Sequence, residues 1–154
     1  MRLMTDWLYK QRKLLEPPPD AIGFVYRITR LGTGRAYIGQ KRLSKARTRK
    51  PLKGKKRKRR DRVKSDWETY FGSCKELLDE VAELGAVNFR REVLFFCYSK
   101  AEMNYVELRE QILHEVLIYP DKFYNSYIGT RIHRDHLRKF RERLAKRQRV
   151  KLHA

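Results

Sequence analysis

Aromatic and β-branched side chains are concentrated in three short segments, which predict three β-strands. The first two are residues 23–29 (Gly-Phe-Val-Tyr-Arg-Ile-Thr) and 35–39 (Arg-Ala-Tyr-Ile-Gly). The Leu-Gly-Thr-Gly sequence at 31–34 between them is typical of a turn, so the two strands are expected to form a hairpin. The third segment, 89–97, is apolar along most of its length and predicts another strand.

Two segments with apolar residues at helical spacing predict α-helices. The first covers about residues 75–84, with Ser73 and Glu76 as a capping box and Gly85 at its end. The second starts at a capping box formed by Ser99 and Glu102 and runs to about residue 119. Residues 123–128 then predict a short strand or turn, and a basic helix is expected from about Arg131 onward.

The remaining segments flank or interrupt this order. Residues 1–16 predict a short amphipathic helix, which the three prolines at 17–19 separate from the rest. The run at 41–64 contains Pro51 and Gly54 and has no apolar period, so a loop with a short initial helix is expected there.

This order predicts an α+β protein with a small sheet, made of the hairpin plus a third strand, flanked by helices. Residues 1–20 are an N-terminal extension and linker, and residues 21–128 are the expected domain. That domain carries a basic insertion at 41–64, and residues 129–154 form a basic C-terminal helix or tail.

The charge of the chain is unevenly distributed. The formal net charge is +20, with 38 Lys and Arg against 18 Asp and Glu. Residues 41–64 hold 15 basic residues and one acid, and residues 131–151 hold 10 basic residues and two acids. Residues 65–130, in contrast, carry a net charge of −6.

Two basic blocks in one small chain favour a nucleic acid as the partner, because basic side chains release the counterions condensed on phosphates. Binding is expected to weaken steeply with salt. An anionic membrane surface is the main competing partner, but the sequence has no apolar stretch of 18 residues. The two cysteines have no metal-ligand spacing and fit a reduced, cytoplasmic protein.

Several motifs give a more specific indication. Tyr26 and Tyr37 occupy one strand each of the hairpin, eleven residues apart. A Tyr-Phe-Gly-Ser sequence follows at 70–73, then Gly85 with Asn88-Phe89, and later Tyr124-Asn125. Over residues 22–126 this pattern resembles the GIY-YIG nucleases, and in particular the Seg-type homing endonucleases of bacteriophages.

The resemblance implies a metal-dependent endonuclease that hydrolyses phosphodiester bonds of double-stranded DNA. In this family one glutamate binds a single divalent cation, Mg²⁺ or Mn²⁺, and no small-molecule cofactor is used. The cation neutralises charge on the phosphate, and a hairpin tyrosine serves as the base or helps to form it. Tyr26 and Tyr37 are therefore the candidate catalytic tyrosines.

Glu107 is the candidate metal ligand, because it follows Tyr105-Val106 and precedes Gln111 as in the Seg-type pattern. Glu110, which lies nearer the apolar stripe of the same helix, is the alternative. Asn125 is expected to orient the backbone or an active-site neighbour, or to form a turn. Tyr127-Ile128-Gly129 also spells the motif but is expected to lack a hairpin partner.

Lys41 and Arg47 are both candidates for the basic catalytic residue. Arg47 has the family's spacing of ten residues after the second tyrosine, and Lys41 lies closer to the hairpin. Other basic residues are expected to contact phosphates without reading bases. These are Lys53, Lys55, Lys56, Arg57, Lys58, Arg59, Arg60, Arg131, Arg134 and Arg138.

Two other functions fit the charge pattern. In the first, the chain is a non-catalytic nucleic-acid-binding protein of ribosomal type. In the second, it has a nuclease fold that has lost its activity. Neither function requires a carboxylate beside the DNA, because a carboxylate without a metal would repel the phosphates. The sequence predicts no particular dimer interface, so the oligomeric state is left open.

Overall fold

The computed structural model describes residues 5–129 and 132–152, and it confirms the α+β class. The strands are β1 (Trp7–Tyr9), β2 (Arg12–Lys13), β3 (Gly23–Arg30), β4 (Ala36–Arg42), β5 (Ser44–Arg49), β6 (Arg59–Lys64), β7 (Phe89–Cys97), β8 (Tyr127–Ile128) and β9 (Ile132–His133). The α-helices are α1 (Lys75–Leu84), α2 (Lys100–Leu113) and α3 (Arg138–Leu152), and short 3-10 helices lie at Trp67–Thr69, Ala86–Asn88 and Arg134–Leu137.

The largest sheet has five strands in the order β2, β1, β7, β3, β4. β3 lies antiparallel between β4 and β7, which confirms the hairpin and the third strand. β1 joins the sheet parallel to β7, and β2 extends it further. β4 forms the opposite edge, and its outward backbone groups therefore need partners other than a strand of this sheet.

Each face of the sheet carries its own apolar core, because strand residues alternate between the two faces. Tyr26 lies in the core that is completed by Trp67 and by Leu77 of α1. Val25 lies in the other core, against Met103 and neighbouring side chains of α2. Helical segments therefore cover both faces of the sheet and meet around its edge at β4.

The N-terminal segment is not helical, so the prediction for residues 1–16 is wrong within the part that the structure describes. β1 and β2 form a hairpin whose turn residues, Lys10 and Gln11, have φ angles of 48° and 65°. Trp7 is buried, and its indole nitrogen donates to the carbonyl of Trp67 at 2.8 Å. This long-range contact outweighs the local helical pattern, although the division of the chain at residue 20 stays a prediction.

The basic run at 41–64 forms a ribbon rather than a loop with a short helix, so that prediction is wrong. β5 and β6 pair with each other over six residues a side, and residues 50–58 form the irregular tip. Asp61 on β6 makes ion pairs with Arg47 and Arg49 on β5. The two strands of the ribbon pair through charged side chains and have no alternation of apolar and polar residues. The hydrophobic pattern of the sequence therefore did not indicate these strands.

One predicted capping box is confirmed and the other is wrong. The Ser99 hydroxyl accepts a hydrogen bond from the backbone N–H of Glu102 at the start of α2. The N-cap of α1 is Cys74 instead, without a side-chain hydrogen bond. Ser73 and Glu76 contact the hairpin, where they bind a tyrosine hydroxyl and an arginine. These tertiary contacts replace the local cap.

α2 ends at Leu113, six residues before the predicted end. Glu115 has a φ of 50°, and the N–H of Val116 donates to the carbonyl of Gln111. The chain turns here because Val116 and Leu117 are both buried in the second core.

The segment after α2 contains the predicted short strand, which is β8. The expectation that Tyr127 lacks a hairpin partner is wrong, because β8 pairs with β9. The basic C-terminal helix is confirmed as α3, although it begins at Arg138 rather than near Arg131, which lies outside the described residues. Among the described helices, none has the length and apolar character needed to cross a bilayer.

Candidate active site

A cavity of about 580 Å³ opens at the edge formed by β4. Tyr26, Tyr37 and Glu107 all line it, so the structure brings together the three residues that the sequence placed at the centre of the site. Further lining side chains come from the hairpin, the start of α1, α2 and the segment that follows it. Those that bear on the chemistry are Gln40, Ser73, Gln111 and Arg134.

The two tyrosines lie on the same face of the hairpin, with ring centroids 6.2 Å apart. Tyr26 pairs with Gly39, and a side chain at position 39 would meet the Tyr26 hydroxyl. A Cβ at Gly72 would lie at an ordinary contact distance of 3.5 Å from the same hydroxyl, but Gly72 has a φ of 90°, which favours glycine. Gly39 therefore makes room for the buried Tyr26 ring, and Gly72 allows the backbone turn beside it.

Burial determines the protonation of both phenols. Burial raises the pKa of Tyr26 well above its usual value, and the nearby Tyr37 and Tyr70 add to the effect. Burial also raises the pKa of Tyr37 to about 12, although the hydrogen bond with Ser73 opposes the shift. Both tyrosines are therefore neutral hydroxyls near pH 7 and can donate or accept hydrogen bonds.

Glu107 reaches the cavity from α2 and is held by side-chain amides. The Nε2 of Gln40 donates to one carboxylate oxygen at 2.7 Å, and the Nε2 of Gln111 lies 3.5 Å from the other. Burial raises the pKa of Glu107, against the hydrogen bond from Gln40. No ion pair with a basic side chain is found for Glu107 within the described part of the chain.

The alternative ligand, Glu110, has a different environment. It is 8 % exposed, makes an ion pair with Arg109 at 3.2 Å, and lies 3.7 Å from the Nδ1 of His114. It does not line the cavity. Its negative charge thus already has a basic partner in Arg109 on the same helix, which distinguishes it from Glu107.

The tyrosines and Glu107 approach the cavity from opposite faces of the sheet. Tyr37 and Gly39 face the first core, whereas Gln40, the hydrogen-bond partner of Glu107, points to the other side. The groups meet because β4 is the edge strand and the cavity spans that edge. A central strand would have kept them apart.

Asn125 holds this edge strand in place. Its Oδ1 accepts from the N–H of Ile38 at 3.1 Å, and its Nδ2 donates to the carbonyl of Ile38 at 2.8 Å. The Nε2 of Gln111 donates to the same carbonyl. Asn125 is 2 % exposed. Its two hydrogen bonds with Ile38 correspond to the predicted role of orienting the backbone.

Lys41 and Arg47 lie outside the lining of the cavity. Lys41 makes an ion pair with Asp66 at 2.6 Å, and its Nζ lies 3.8 Å from the centroid of the Tyr70 ring. Arg47 belongs to the ribbon, where it binds Asp61 at 3.0 Å. The basic side chain that does line the cavity, besides Lys75, is Arg134.

The other predicted DNA-contacting residues that the structure describes are exposed. Lys53, Lys55, Lys56, Arg57 and Lys58 occupy the tip of the ribbon, and Arg59 and Arg60 begin β6. Arg138 is exposed at the start of α3, and Arg131 lies outside the described residues.

Sequence reasoning missed several lining residues. Gln40 follows the Tyr-Ile-Gly motif directly, and Gln111 lies one helical turn after Glu107, so both spacings were available as signals. Ser73 was assigned to a helix cap, and Tyr127, which was set aside, is 67 % exposed on the cavity wall. Arg134 was expected to contact phosphates, but no local signal places it in the cavity, because its position depends on the chain's return after α2.

The donor set fits a hard divalent cation that keeps most of its water ligands. Among the described residues there is no cluster of three or more His, Cys, Asp or Glu side chains. A single carboxylate suits Mg²⁺ or Mn²⁺, which need few protein ligands, better than Zn²⁺. Glu107 is the residue that would hold such an ion.

A family profile described as "Putative endonuclease segE, GIY-YIG domain" matches residues 7–128 of the chain. The matched range contains the hairpin, the ribbon, α1, α2 and every residue of the cavity wall named above except Arg134. No curated protein and no solved structure matches the chain significantly.

Proposed function

The chain belongs to the SegE-type GIY-YIG endonuclease family, and from this premise we propose that it cleaves double-stranded DNA with one Mg²⁺ or Mn²⁺ ion held by Glu107. The family is one of phosphodiester hydrolases, so the chain is a DNA endonuclease. The requirement for a metal ion, its identity, the duplex substrate and the roles of individual residues are proposals.

The environment of Glu107 is the observation that carries the proposal. In a protein of net charge +20, a half-buried carboxylate lies in a cavity with two tyrosines and without a basic partner among the described residues. Such a group costs free energy unless a cation compensates its charge. When bound, a divalent cation would supply charge neutralisation at the scissile phosphate.

The remaining groups have separate roles in the proposed reaction. The neutral Tyr37 hydroxyl, fixed by Ser73, accepts a hydrogen bond from the attacking water and orients it. Tyr26 is buried behind it and keeps the hairpin in position. Gln40 and Gln111 hold the Glu107 carboxylate, and Arg134 binds the phosphate from the cavity wall.

The DNA is held by two basic regions, the ribbon and α3. The ribbon tip, with Lys53, Lys55 and Lys56, and the exposed Arg138 of α3 contact phosphates. Lys41 and Arg47 lie between the cavity and the tip and contact phosphates along the same path. We further propose that the chain acts as a phage homing nuclease in the cytoplasm of the host cell.

Nicking of supercoiled plasmid, with and without Mg²⁺, tests this function. Glu107→Gln removes the proposed metal ligand, and Glu83→Gln is the matched control, since Glu83 is an exposed glutamate on α1. We expect Mg²⁺-dependent nicking by the wild-type protein and by Glu83→Gln, and a loss of 100-fold or more in Glu107→Gln. Equal nicking by both variants contradicts the assignment of Glu107, and absence of nicking by wild type contradicts the enzyme.

A further inference from the structure

The ribbon of β5 and β6 is exposed on both of its faces. Neither strand is hydrogen bonded to the five-stranded sheet, and the side chains of residues 45–49 are all exposed. An isolated two-stranded ribbon is marginally stable in water. Arg49 also lies directly opposite Arg59, a pairing of like charges that opposes strand association. Packing therefore does not explain why these side chains are present.

The base of the ribbon, in contrast, is firmly attached to the sheet. Only Leu43 separates β4 from β5, and its N–H donates to the carbonyl of Ile22. Ser65, which follows β6, donates from its N–H to the carbonyl of Leu43 and from its hydroxyl to that of Arg42. The ribbon is thus a continuation of the strand that carries Tyr37, with a direction fixed at its base.

The two faces of the ribbon have different chemistry. Residues that pair across an antiparallel ribbon share a face, and faces alternate along each strand. One face contains Asp61, which binds the guanidinium groups of Arg47 and Arg49. The other face has small side chains on β5 and long basic side chains on β6. None of its six residues is acidic, and Lys64 at its base pairs with Glu68 outside the ribbon. The members of this face are Ser44, Ala46, Thr48, Arg60, Arg62 and Lys64.

This second face matches the major groove of DNA in size and in chemistry. The groove is about 12 Å wide and admits a two-stranded ribbon. Arginines bind the O6 and N7 acceptors of guanine in a bidentate manner, and the methyl groups of Ala46 and Thr48 are suited to contact the methyl of thymine. The small side chains of β5 let the backbone approach the bases closely, which a face of long side chains would prevent.

We propose that the β5–β6 ribbon enters the major groove of double-stranded DNA with Ala46, Thr48, Arg60 and Arg62 toward the base edges and so selects the sequence that is cut. Thr48, opposite Arg60, lies eleven residues after Tyr37. At about 3.3 Å per residue, the base pairs read lie within about 36 Å of the cavity, or about 11 base pairs of the cleaved bond. The proposal depends on the function above only in taking duplex DNA as the partner.

Binding selection from a pool of duplexes with a randomised centre tests the proposal. The full chain carries Glu107→Gln and the buffer contains EDTA, so the result is independent of cleavage. We expect an enriched sequence that contains guanine. Adding Arg60→Lys and Arg62→Lys keeps the charge but removes bidentate geometry. The preference for that guanine is then expected to fall about 10- to 100-fold, with affinity for the random pool changed less than about threefold.

Arg49→Lys is the matched control, because Arg49 is on the opposite face and bound to Asp61, and it is expected to leave the enriched sequence unchanged. Replacing the selected guanine by 7-deazaguanine removes only a major-groove acceptor, and we expect about a tenfold loss of affinity. The proposal is overturned if no sequence is enriched, if the double lysine variant selects the same sequence, or if 7-deazaguanine has no effect.

Discussion

The side-chain amide of Asn125 pairs with the backbone of Ile38 through two hydrogen bonds, as a residue of a neighbouring strand would. Ile38 lies between Tyr37 and Gly39, the two positions of β4 that shape the site around Tyr26. One buried side chain, 87 residues away in sequence, therefore fixes the segment on which the tyrosine geometry depends.

Asn125→Ala is expected to destabilise the protein by about 2–4 kcal/mol, since it leaves a buried N–H and a buried carbonyl short of partners. Urea unfolding gives the free energy. Asn88→Ala is the control, because the Asn88 side chain makes an exposed hydrogen bond with the carbonyl of Leu84 and should cost less than about 1 kcal/mol. Equal losses in the two variants would show that Asn125 does not support the edge strand.

Glu107→Gln is expected to stabilise the metal-free protein at pH 7. Burial raises the pKa of Glu107, so the folded state binds the proton more tightly than the unfolded chain. Stability from the protonated carboxyl is complete below the unfolded pKa of about 4.3 and is lost as the pH rises through the folded pKa. The glutamine variant should therefore gain stability over wild type at pH 7 but not at pH 4.

Thermal unfolding in EDTA at the two pH values measures this difference, and adding Mg²⁺ should reduce it by stabilising only the wild-type protein. Glu83→Gln, at an exposed position, should show no such dependence on pH. A Glu107→Gln protein that is less stable than wild type at pH 7 without metal would be incompatible with a desolvated carboxylate.

Tyr37→Phe is expected to lower the cleavage rate by about 100-fold while changing the stability by less than about 1 kcal/mol. The hydroxyl contributes a hydrogen bond at the cavity, at 3.4 Å from Ser73, and it is the proposed partner of the attacking water. Single-turnover cleavage separates the chemical step from binding. Tyr105→Phe, a change at a tyrosine of α2 that is 68 % exposed, provides the comparison and should cleave at the wild-type rate.

Arg91 is expected to be a main contributor to stability although it lies outside the cavity lining. It is 1 % exposed, and its guanidinium donates to the carbonyls of Thr5, Glu68 and Tyr70. Burial lowers its pKa to about 10, so it stays charged at neutral pH.

Arg91→Met should cost about 3 kcal/mol or more, because it leaves three carbonyls without this donor and loosens the segment beside Trp67. The melting temperature should drop clearly below that of Arg90→Met, a control on the exposed side of the same strand. An equal drop in melting temperature in both variants would show that the loss of a positive charge, rather than of the buried hydrogen bonds, lowers the stability.

The elements predicted correctly are those encoded over short distances. The hairpin of Tyr26 and Tyr37 is specified by strand-forming residues around a glycine turn, and α2 begins at a local capping box. These signals depend on neighbours within a few residues. The tyrosine pair and Glu107 were instead nominated through the resemblance to the GIY-YIG family, and the structure places all three on one cavity.

The parts that were missed depend on contacts between distant residues. β1 forms because Trp7 pairs with Arg91 and is buried in the first core, a partner that no local pattern reveals. Arg134 reaches the cavity only because β8 and β9 turn the chain back. The Ser73 hydroxyl bonds to the hydroxyl of Tyr37 instead of capping α1, because tertiary partners compete with local ones for the same side chain.

The edge position of β4 has a further consequence for how the protein behaves in concentrated solution. An open strand edge invites pairing with other chains and aggregation. Here the outward groups of Ala36 bind Lys122 and Tyr124, and those of Ile38 bind Asn125. The same chain segment that lines the cavity thereby blocks intermolecular strand addition, so variants that loosen it should self-associate as well as lose activity.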